Sequence, residues 1–473
     1  MIRVSAKNYA MTDCPPRDIL SATESVCPIC LRRLSAVREK DGEDVYLVKN
    51  CPDHGEFNTI IWRGPLPFAA WNRPKKASSP RQTFTKTKKG CPFDCGLCPE
   101  HGQHTCTALI EVTGRCNLRC KVCFAGAGDH AAADPPLDRI AFYYDRLLAA
   151  SGPCNIQLSG GEPTVRDDLA DIIRLGRDKG FSFLQLNTNG IRLAEDEGYA
   201  KSLKAAGLSS VFLQFDGISD EVHLALRGRA LAAVKERAIV SCGFAGLGVV
   251  LVPTIVPGIN TGEIGSIVNY AARFSPTVRG VHFQPVSYFG RYPQQPHDRS
   301  RITLPEILML LEEQTRGRIP ANLFAPPACE HALCSFHANF LVQDNYSLKG
   351  ITSWQQTCCS AAGQNREIPS AMEGREKNIS FTARQWSAPG GCDCSSPRVH
   401  ENEDELDYFL RRAKTHTFSI SGMAFQDAWN LDLERLQGCC IHVVSPQGKI
   451  IPFCAYNLTS SKGRALHRKR GGG

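Results

Sequence analysis

The chain has 473 residues, of which 42% are hydrophobic and 22% charged. That length suits two or three packing units, and the composition excludes collagen-like, mucin-like and largely disordered classes. The formal charge of +8 resides in two places: residues 75–90, with Lys75, Lys76, Arg81, Lys86, Lys88 and Lys89, and the tail after Ser461, with Lys462, Arg464, Arg468, Lys469 and Arg470. Those eleven charges exceed the net total, so the body is not basic and a nucleic-acid partner is not expected.

Residues 1–13 are polar and mixed, unlike a secretory leader. No stretch reaches the roughly 18 to 20 apolar residues that span a bilayer. The expectation is a cytoplasmic protein, with peripheral contact at an anionic inner membrane face through the basic segments. In a reducing compartment, 22 cysteines at short spacings indicate metal or redox chemistry rather than disulfides.

Taken in chain order, residues 1–74 form a short β-rich module. Cys27-x2-Cys30 and Cys51-x2-His54 have zinc-ribbon or rubredoxin spacing and suit one tetrahedral iron or zinc, with Cys14 the rival to His54. Residues 75–106 read as a basic, solvated linker followed by a cysteine loop. Cys91, Cys95 and Cys98 form C-x3-C-x2-C, and Cys106 is available as a fourth ligand, which makes a closed auxiliary cluster.

From residue 107 to 318, strand-length apolar runs at 108–113, 155–159, 183–187, 210–215, 249–253 and 280–284 alternate with helical stretches at 138–150, 167–179, 195–206, 230–241, 261–274 and 303–314. That alternation implies parallel strands with right-handed crossovers, an α/β fold with a partial (β/α)6 barrel. Residues 319–460 read as a loop-rich, cysteine-rich C-terminal domain, and 461–473 as a flexible basic tail. Cys329, Cys334, Cys439 and Cys454 are its candidate cluster ligands, with Cys440, Cys358, Cys359, Cys392 and Cys394 as alternatives.

Directly after the first barrel strand, Cys116, Cys120 and Cys123 repeat the C-x3-C-x2-C spacing with no fourth thiol nearby. Three thiolates leave one iron of a four-iron cluster open, as a catalytic metal leaves a vacant position. The second strand ends in Gly160-Gly161-Glu162-Pro163, where glycines allow close backbone approach and the carboxylate suits a cationic amine. The third ends in Asn187-Thr188-Asn189-Gly190 and the fourth in Gln214-Phe215-Asp216. Polar residues gathered at successive strand ends mark the active face of such folds.

The segments CNLRCKVC, GGEP and NTNG in this context resemble the radical S-adenosylmethionine enzymes. The resemblance implies that Cys116, Cys120 and Cys123 hold a [4Fe-4S] cluster binding S-adenosylmethionine, with Gly160, Gly161, Glu162, Pro163, Asn187, Asn189, Gln214 and Asp216 around the cofactor. Val122 stands where the superfamily commonly has an aromatic. Across residues 25–457, CPICLRR, CPDHGEF, KKGCPFDCGLCPEHGQHTC, CSFHANFL and IPFCAYN further resemble the archaeal tetraether lipid synthases, some of whose homologues are described as hydroxymethyl dihydropterin methylases. That resemblance implies two auxiliary [4Fe-4S] clusters, a mononuclear iron or zinc, a ferredoxin- or flavodoxin-type electron donor and a lipid substrate joined through carbon–carbon bonds. The alternative it leaves open is radical methylation of a pterin or other small heterocycle. For the lipid, residues 338–342 and 418–425 are the expected lining of an apolar tunnel.

Overall fold

The computed structural model describes residues 18–71, 73–128, 133–351, 368–389 and 405–468. Four antiparallel strands, β1 (Asp18–Val26), β2 (Arg33–Asp41), β3 (Asp44–Cys51) and β4 (Gly55–Trp62), make a meander with the order 1-2-3-4. Alternation is clean on β3, where Val45, Leu47 and Lys49 turn inward. Lys49 is buried, and its Nζ donates to the Ala428 and Trp429 carbonyls and to Ser25 Oγ. Arg38 does the same for Asp432, with Nη2 at 2.7 Å from Oδ2. The meander is therefore joined to the rest of the chain by buried cations.

The second sheet has the strand order β13-β12-β14-β11-β9-β8-β7-β6-β5-β15-β16. Its centre is six parallel strands in sequence order: β5 (Thr107–Thr113), β6 (Asn155–Gly160), β7 (Leu184–Thr188), β8 (Ser210–Gln214), β9 (Gly248–Val252) and β11 (Val278–Pro285). All six expected strands form, and β10 (Thr254–Ile255) adds a short pairing to β11. Helices α1 (Leu137–Ser151), α2 (Leu169–Asp178), α3 (Ile191–Glu195), α4 (Tyr199–Ala205), α5 (Asp220–Arg227), α6 (Ala232–Phe244), α7 (Ile264–Arg273) and α8 (Leu304–Gln314) cover the outer face. The helix expected over 195–206 starts later, at Tyr199, and α5 was not expected at all.

The C-terminal region does not stand apart as irregular chain. It supplies strands to both edges of the barrel sheet: β14 (Thr417–Met423) pairs in parallel with β11, and β15 (Ile441–Val444) pairs in parallel with β5. Antiparallel strands β12 (Ser335–Val342), β13 (Leu348–Gly350) and β16 (Ile450–Pro452) finish the edges.

The basic segments are also ordered where described, which corrects their expected solvation. Lys76 N donates to Pro369 O, Arg81 N to Ala150 O, and the Phe84 ring lies 3.2 Å under the Arg146 guanidinium carbon. In the tail, Ser461 N donates to Pro28 O, and Arg468 pairs with Glu111 on β5 at 2.6 Å. Lys76, Lys86, Lys88 and Lys89 nevertheless keep exposed side chains. Among the described residues, no helix is long and apolar enough to cross a membrane.

Candidate active site

The C-terminal ends of the parallel strands surround a cavity of about 500 Å³. Cys116, Cys120 and Cys123 line it together with Gly160, Gly161, Glu162, Asn187, Asn189 and Gln214, so most of the expected site residues converge. Pro163 and Asp216 do not reach the lining. Pro163 opens a short 3-10 turn, and Asp216 is buried behind the site in an ion pair with Arg227.

Backbone and cations hold the cysteine loop in place. Arg291 and Cys123 exchange both backbone hydrogen bonds at 2.9 Å, and Arg291 Nε donates to Cys120 O at 2.8 Å. Arg227 Nη1 donates to Val122 O at 3.1 Å. Asn117 within the loop accepts from Asn189 Nδ2 at 2.7 Å, tying it to the third strand end. The sequence did not single out Arg227 or Arg291, since one arginine carries no motif; their function shows only through folding.

Gly160 and Gly161 are required for a reason other than ligand approach. A Cβ on Gly160 would lie 2.2 Å from Thr113 O, and one on Gly161 would lie 2.1 Å from Arg115 O. The second strand end packs backbone to backbone on the cysteine loop, with Gly161 N and Glu162 N donating to Thr113 O and Arg115 O. This sets Glu162 beside the thiols. Its Oε1 accepts from Thr164 N, Thr164 Oγ1 and Thr188 Oγ1, while Oε2 accepts only from Asn189 N, at 2.7 Å. A carboxylate offers about four lone-pair positions, so Oε2 is the oxygen with room for an ammonium group. Burial pushes the Glu162 carboxyl upward, and its hydrogen bonds oppose that shift.

The three thiols fit an iron–sulfur cluster. Burial pushes the Cys116 thiol up to about 12 and raises Cys120 as well. A cationic cluster reverses that cost by binding the thiolates directly.

At the N-terminal meander, Cys27, Cys30, Cys51 and His54 bring their ligand atoms within 4.8 Å of one another. Cys30 and Cys51 sulfurs are 3.9 Å apart, and His54 Nδ1 lies 3.6 Å from Cys27 Sγ and 3.4 Å from Cys51 Sγ. Metal–sulfur bonds near 2.3 Å give tetrahedral edges of about 3.8 Å, so these residues suit one ion. The rival Cys14 lies outside the described residues.

The remaining cysteines regroup. Cys91, Cys95 and Cys98 line a small cleft together with Gln437 and Pro452. Cys106 does not close that group: its thiol meets Cys329 and Cys440 in a separate buried cluster. The expected quartet of Cys329, Cys334, Cys439 and Cys454 is therefore split, because Cys439 interacts with Cys334 and Cys454 while Cys440 faces the other way. The alternatives Cys358, Cys359, Cys392 and Cys394 lie outside the described residues.

The expected lining by residues 338–342 and 418–425 is met in part: Asn339, Ser419, Ser421, Gly422, Met423 and Phe425 line the cavity. On β12 and β14 the apolar side chains Ala338, Phe340, Val342, Phe418 and Ile420 enter the core. Their polar neighbours His337, Asn339, Ser419 and Ser421 line the cavity. With Gln157 on β6, Asn187 on β7, Gln214 on β8, and His282 and Gln284 on β11, they place a band of polar groups in the barrel, while Val122, Phe124, Val252, Phe289, Met423 and Phe453 keep much of the remaining lining apolar. Phe212, Trp386 and His282 add an aromatic surface, with Phe212 centroids 5.5 Å from Trp386 and 5.3 Å from His282.

A parallel barrel with an open three-cysteine loop at one strand end and a Gly-Gly-Glu-Pro turn at the next defines a radical S-adenosylmethionine enzyme, whose cofactors are a [4Fe-4S] cluster and S-adenosylmethionine. The profile of the radical SAM superfamily matches residues 110–271, and that of the HMPTM N-terminal zinc ribbon domain matches residues 19–63. The chain belongs to the same family as the Methanocaldococcus jannaschii protein named 7,8-dihydro-6-hydroxymethylpterin dimethyltransferase, to which it is 37% identical over 94% of each chain. A probable GTP 3′,8-cyclase of Methanothermobacter thermautotrophicus is 29% identical over 36% of this chain and 55% of that one. Among solved structures, Streptococcus suis SuiB bound to the precursor peptide SuiA covers 46% of each chain, with 14% identity and a TM-score of 0.38.

Proposed function

We propose that this protein is a radical S-adenosylmethionine methylase acting on a small planar heterocycle of the reduced pterin type. The band of polar side chains in the cavity carries the proposal. Amides at Gln157, Asn187, Gln214 and Gln284 line it, with Gln157 donating to Gln185 Oε1 and accepting from Asn187 Nδ2. A pterin edge presents the complementary set, and its flat faces suit the surface of Phe212, Trp386 and His282. Asn187 Oδ1 is buried without a protein partner, an acceptor left for a ligand donor. A cavity of about 500 Å³ also falls in the range of small-molecule sites. The family relative's name supports the same substrate class. The apolar side chains Ala338, Phe340, Val342, Phe418 and Ile420, which a lipid tunnel would use, are in the core instead.

Cys116, Cys120 and Cys123 would hold the cluster, which would supply one-electron reductive cleavage of S-adenosylmethionine. Glu162 Oε2 would hold the methionyl ammonium, and the thiol loop is fixed by Arg227 and Arg291. Lumen amides orient the heterocycle carbon toward the cysteine loop, and the barrel wall excludes water from it. A low-potential donor of ferredoxin or flavodoxin type would supply two electrons per methyl group, the methyl carbon coming from a second S-adenosylmethionine that leaves as S-adenosylhomocysteine.

With reductant and S-adenosylmethionine, 6-hydroxymethyl-7,8-dihydropterin is expected to raise 5′-deoxyadenosine formation above the substrate-free rate. Cys120→Ala is expected to abolish formation in both cases. Equal rates with and without the pterin would contradict the proposal.

A further inference from the structure

Cys106, Cys329 and Cys440 form a group of fully buried thiols, 0%, 0% and 1% exposed. The next residue along from Cys329 is Glu330, whose carboxylate lies within electrostatic reach of all three. Asn378 Nδ2 sits between them, 3.3 Å from Cys106 Sγ and 3.5 Å from Glu330 Oε1. The two cations nearby are committed to backbone oxygens: Lys75 Nζ donates to the carbonyls of Cys329 and Glu330, and Arg375 to those of Thr105, Ser151 and Pro153. No ion pair reaches the Glu330 side chain among the described residues. Three thiols and a carboxylate facing one another away from water make a donor set suited to a cation.

The spacing selects the kind of cation. Among the described residues, only the N-terminal tetrad brings its ligand atoms within 4.8 Å of one another. The Cys106 group spans more than one ion's coordination sphere, as the thiolates of a cuboidal cluster do. Its placement is informative too. Cys106 immediately precedes β5 and Cys116 follows it, so the two thiol groups lie at opposite ends of one strand, about 20 Å of chain apart. Glu330 and Asn378 line the same cavity that Cys116, Cys120 and Cys123 line from the other end.

We propose that Cys106, Cys329 and Cys440 hold three irons of a second [4Fe-4S] cluster and that Glu330 is the oxygen ligand of its fourth iron, which faces the floor of the substrate cavity. Asn378 donates to the Cys106 thiolate as an outer hydrogen bond that tunes the cluster. This assignment rests on the superfamily's iron–sulfur chemistry and is independent of the pterin reading.

The test uses the full chain carrying Cys116→Ala, Cys120→Ala and Cys123→Ala, so that the open loop cluster is absent from the spectra. In that background Cys440→Ala is expected to lose one cluster's iron, about four atoms per chain. Glu330→Ala is expected to retain a cluster that, on ferricyanide oxidation, sheds its fourth iron as Fe²⁺ and shows the S = 1/2 resonance of [3Fe-4S]⁺. Glu330→Cys is expected to keep the full iron content and show no such resonance, which also reports that position 330 can be changed without unfolding the chain. Unchanged iron in Cys440→Ala would make the trio ordinary core. Identical oxidised spectra for Glu330→Ala and Glu330→Cys would place the fourth ligand elsewhere. Either result overturns the assignment.

Discussion

Asp216 and Arg227 meet side-on: Nε donates to Oδ2 and Nη2 to Oδ1, both at 2.6 Å, with side chains 0% and 5% exposed. Arg227 then reaches Val122 O in the middle of the cysteine loop. A carboxylate just past the end of β8 thus fixes a loop that follows β5, through an arginine that itself lines the cavity. Asp216→Ala leaves the guanidinium buried and uncompensated, and destabilisation of about 3 to 5 kcal/mol is expected in urea unfolding. Arg227→Lys is not expected to restore wild-type cluster occupancy after reconstitution, because an ammonium cannot copy the two-pronged contact.

The backbone contact between the second strand end and the cysteine loop gives a sharper test. Gly161→Ala puts a methyl 2.1 Å from Arg115 O, and the loop must move. S-adenosylmethionine affinity, followed by equilibrium dialysis, is expected to fall at least about tenfold, equivalent to about 1.4 kcal/mol. The α/β circular dichroism is expected to stay, since the clash is local.

The N-terminal tetrad should hold one ion per chain that survives loss of every other cluster. Cys51→Ser is expected to remove that ion, measured by elemental analysis, and to lower the melting temperature. The meander has a small core of its own, and ligation contributes folding free energy there. Its docking through Lys49 and Arg38 should loosen with it, seen as faster hydrogen exchange across β3 and residues 428–432.

His282 provides a pH signature. Burial lowers it to about 4, so the folded state keeps a neutral imidazole against Ser421 while the unfolded chain titrates near 6.5. Between those values the unfolded state binds the extra proton, and stability falls as pH drops from 6.5 toward 4. His282→Gln is expected to remove that share of the acid limb, about 3 kcal/mol at the bottom of the window, read as the wild-type minus variant difference in unfolding free energy.

The six central strands were legible because each is a short apolar run with turn residues after it, and parallel strands buried on both faces keep that pattern. The C-terminal strands were not. β14 joins β11 and β15 joins β5, at opposite ends of the sheet, though only 17 residues separate them from Met423 to Ile441. Local sequence carries no record of which edge a strand completes. The same limit explains the cysteines. Spacing located the tetrad at Cys27 and the loop at Cys116, since their ligands are near in sequence. Cys439 and Cys440 are adjacent yet serve different groups, a division that adjacency in sequence hides. Polarity of the lumen was hidden for a related reason: β12 and β14 read as apolar from their core faces, while the alternate residues His337, Asn339, Ser419 and Ser421 face the cavity.

The lumen amides should govern substrate more than cofactor. Asn187→Leu is expected to raise the apparent KM for the pterin at least about tenfold, the scale of one or two lost hydrogen bonds. Substrate-independent 5′-deoxyadenosine formation should persist, separating the lumen from the cluster site.

The central claim is tested most directly by product mass. The reconstituted protein, a low-potential reductant, S-adenosylmethionine and 6-hydroxymethyl-7,8-dihydropterin are incubated together, and heterocycle and lipid fractions are analysed by mass spectrometry. The account predicts a pterin heavier by one CH₂ for each methyl group installed, formed only when Cys116, Cys120 and Cys123 are intact. An unchanged pterin, together with isoprenoid lipids lighter by two hydrogens per new carbon–carbon bond, would contradict it.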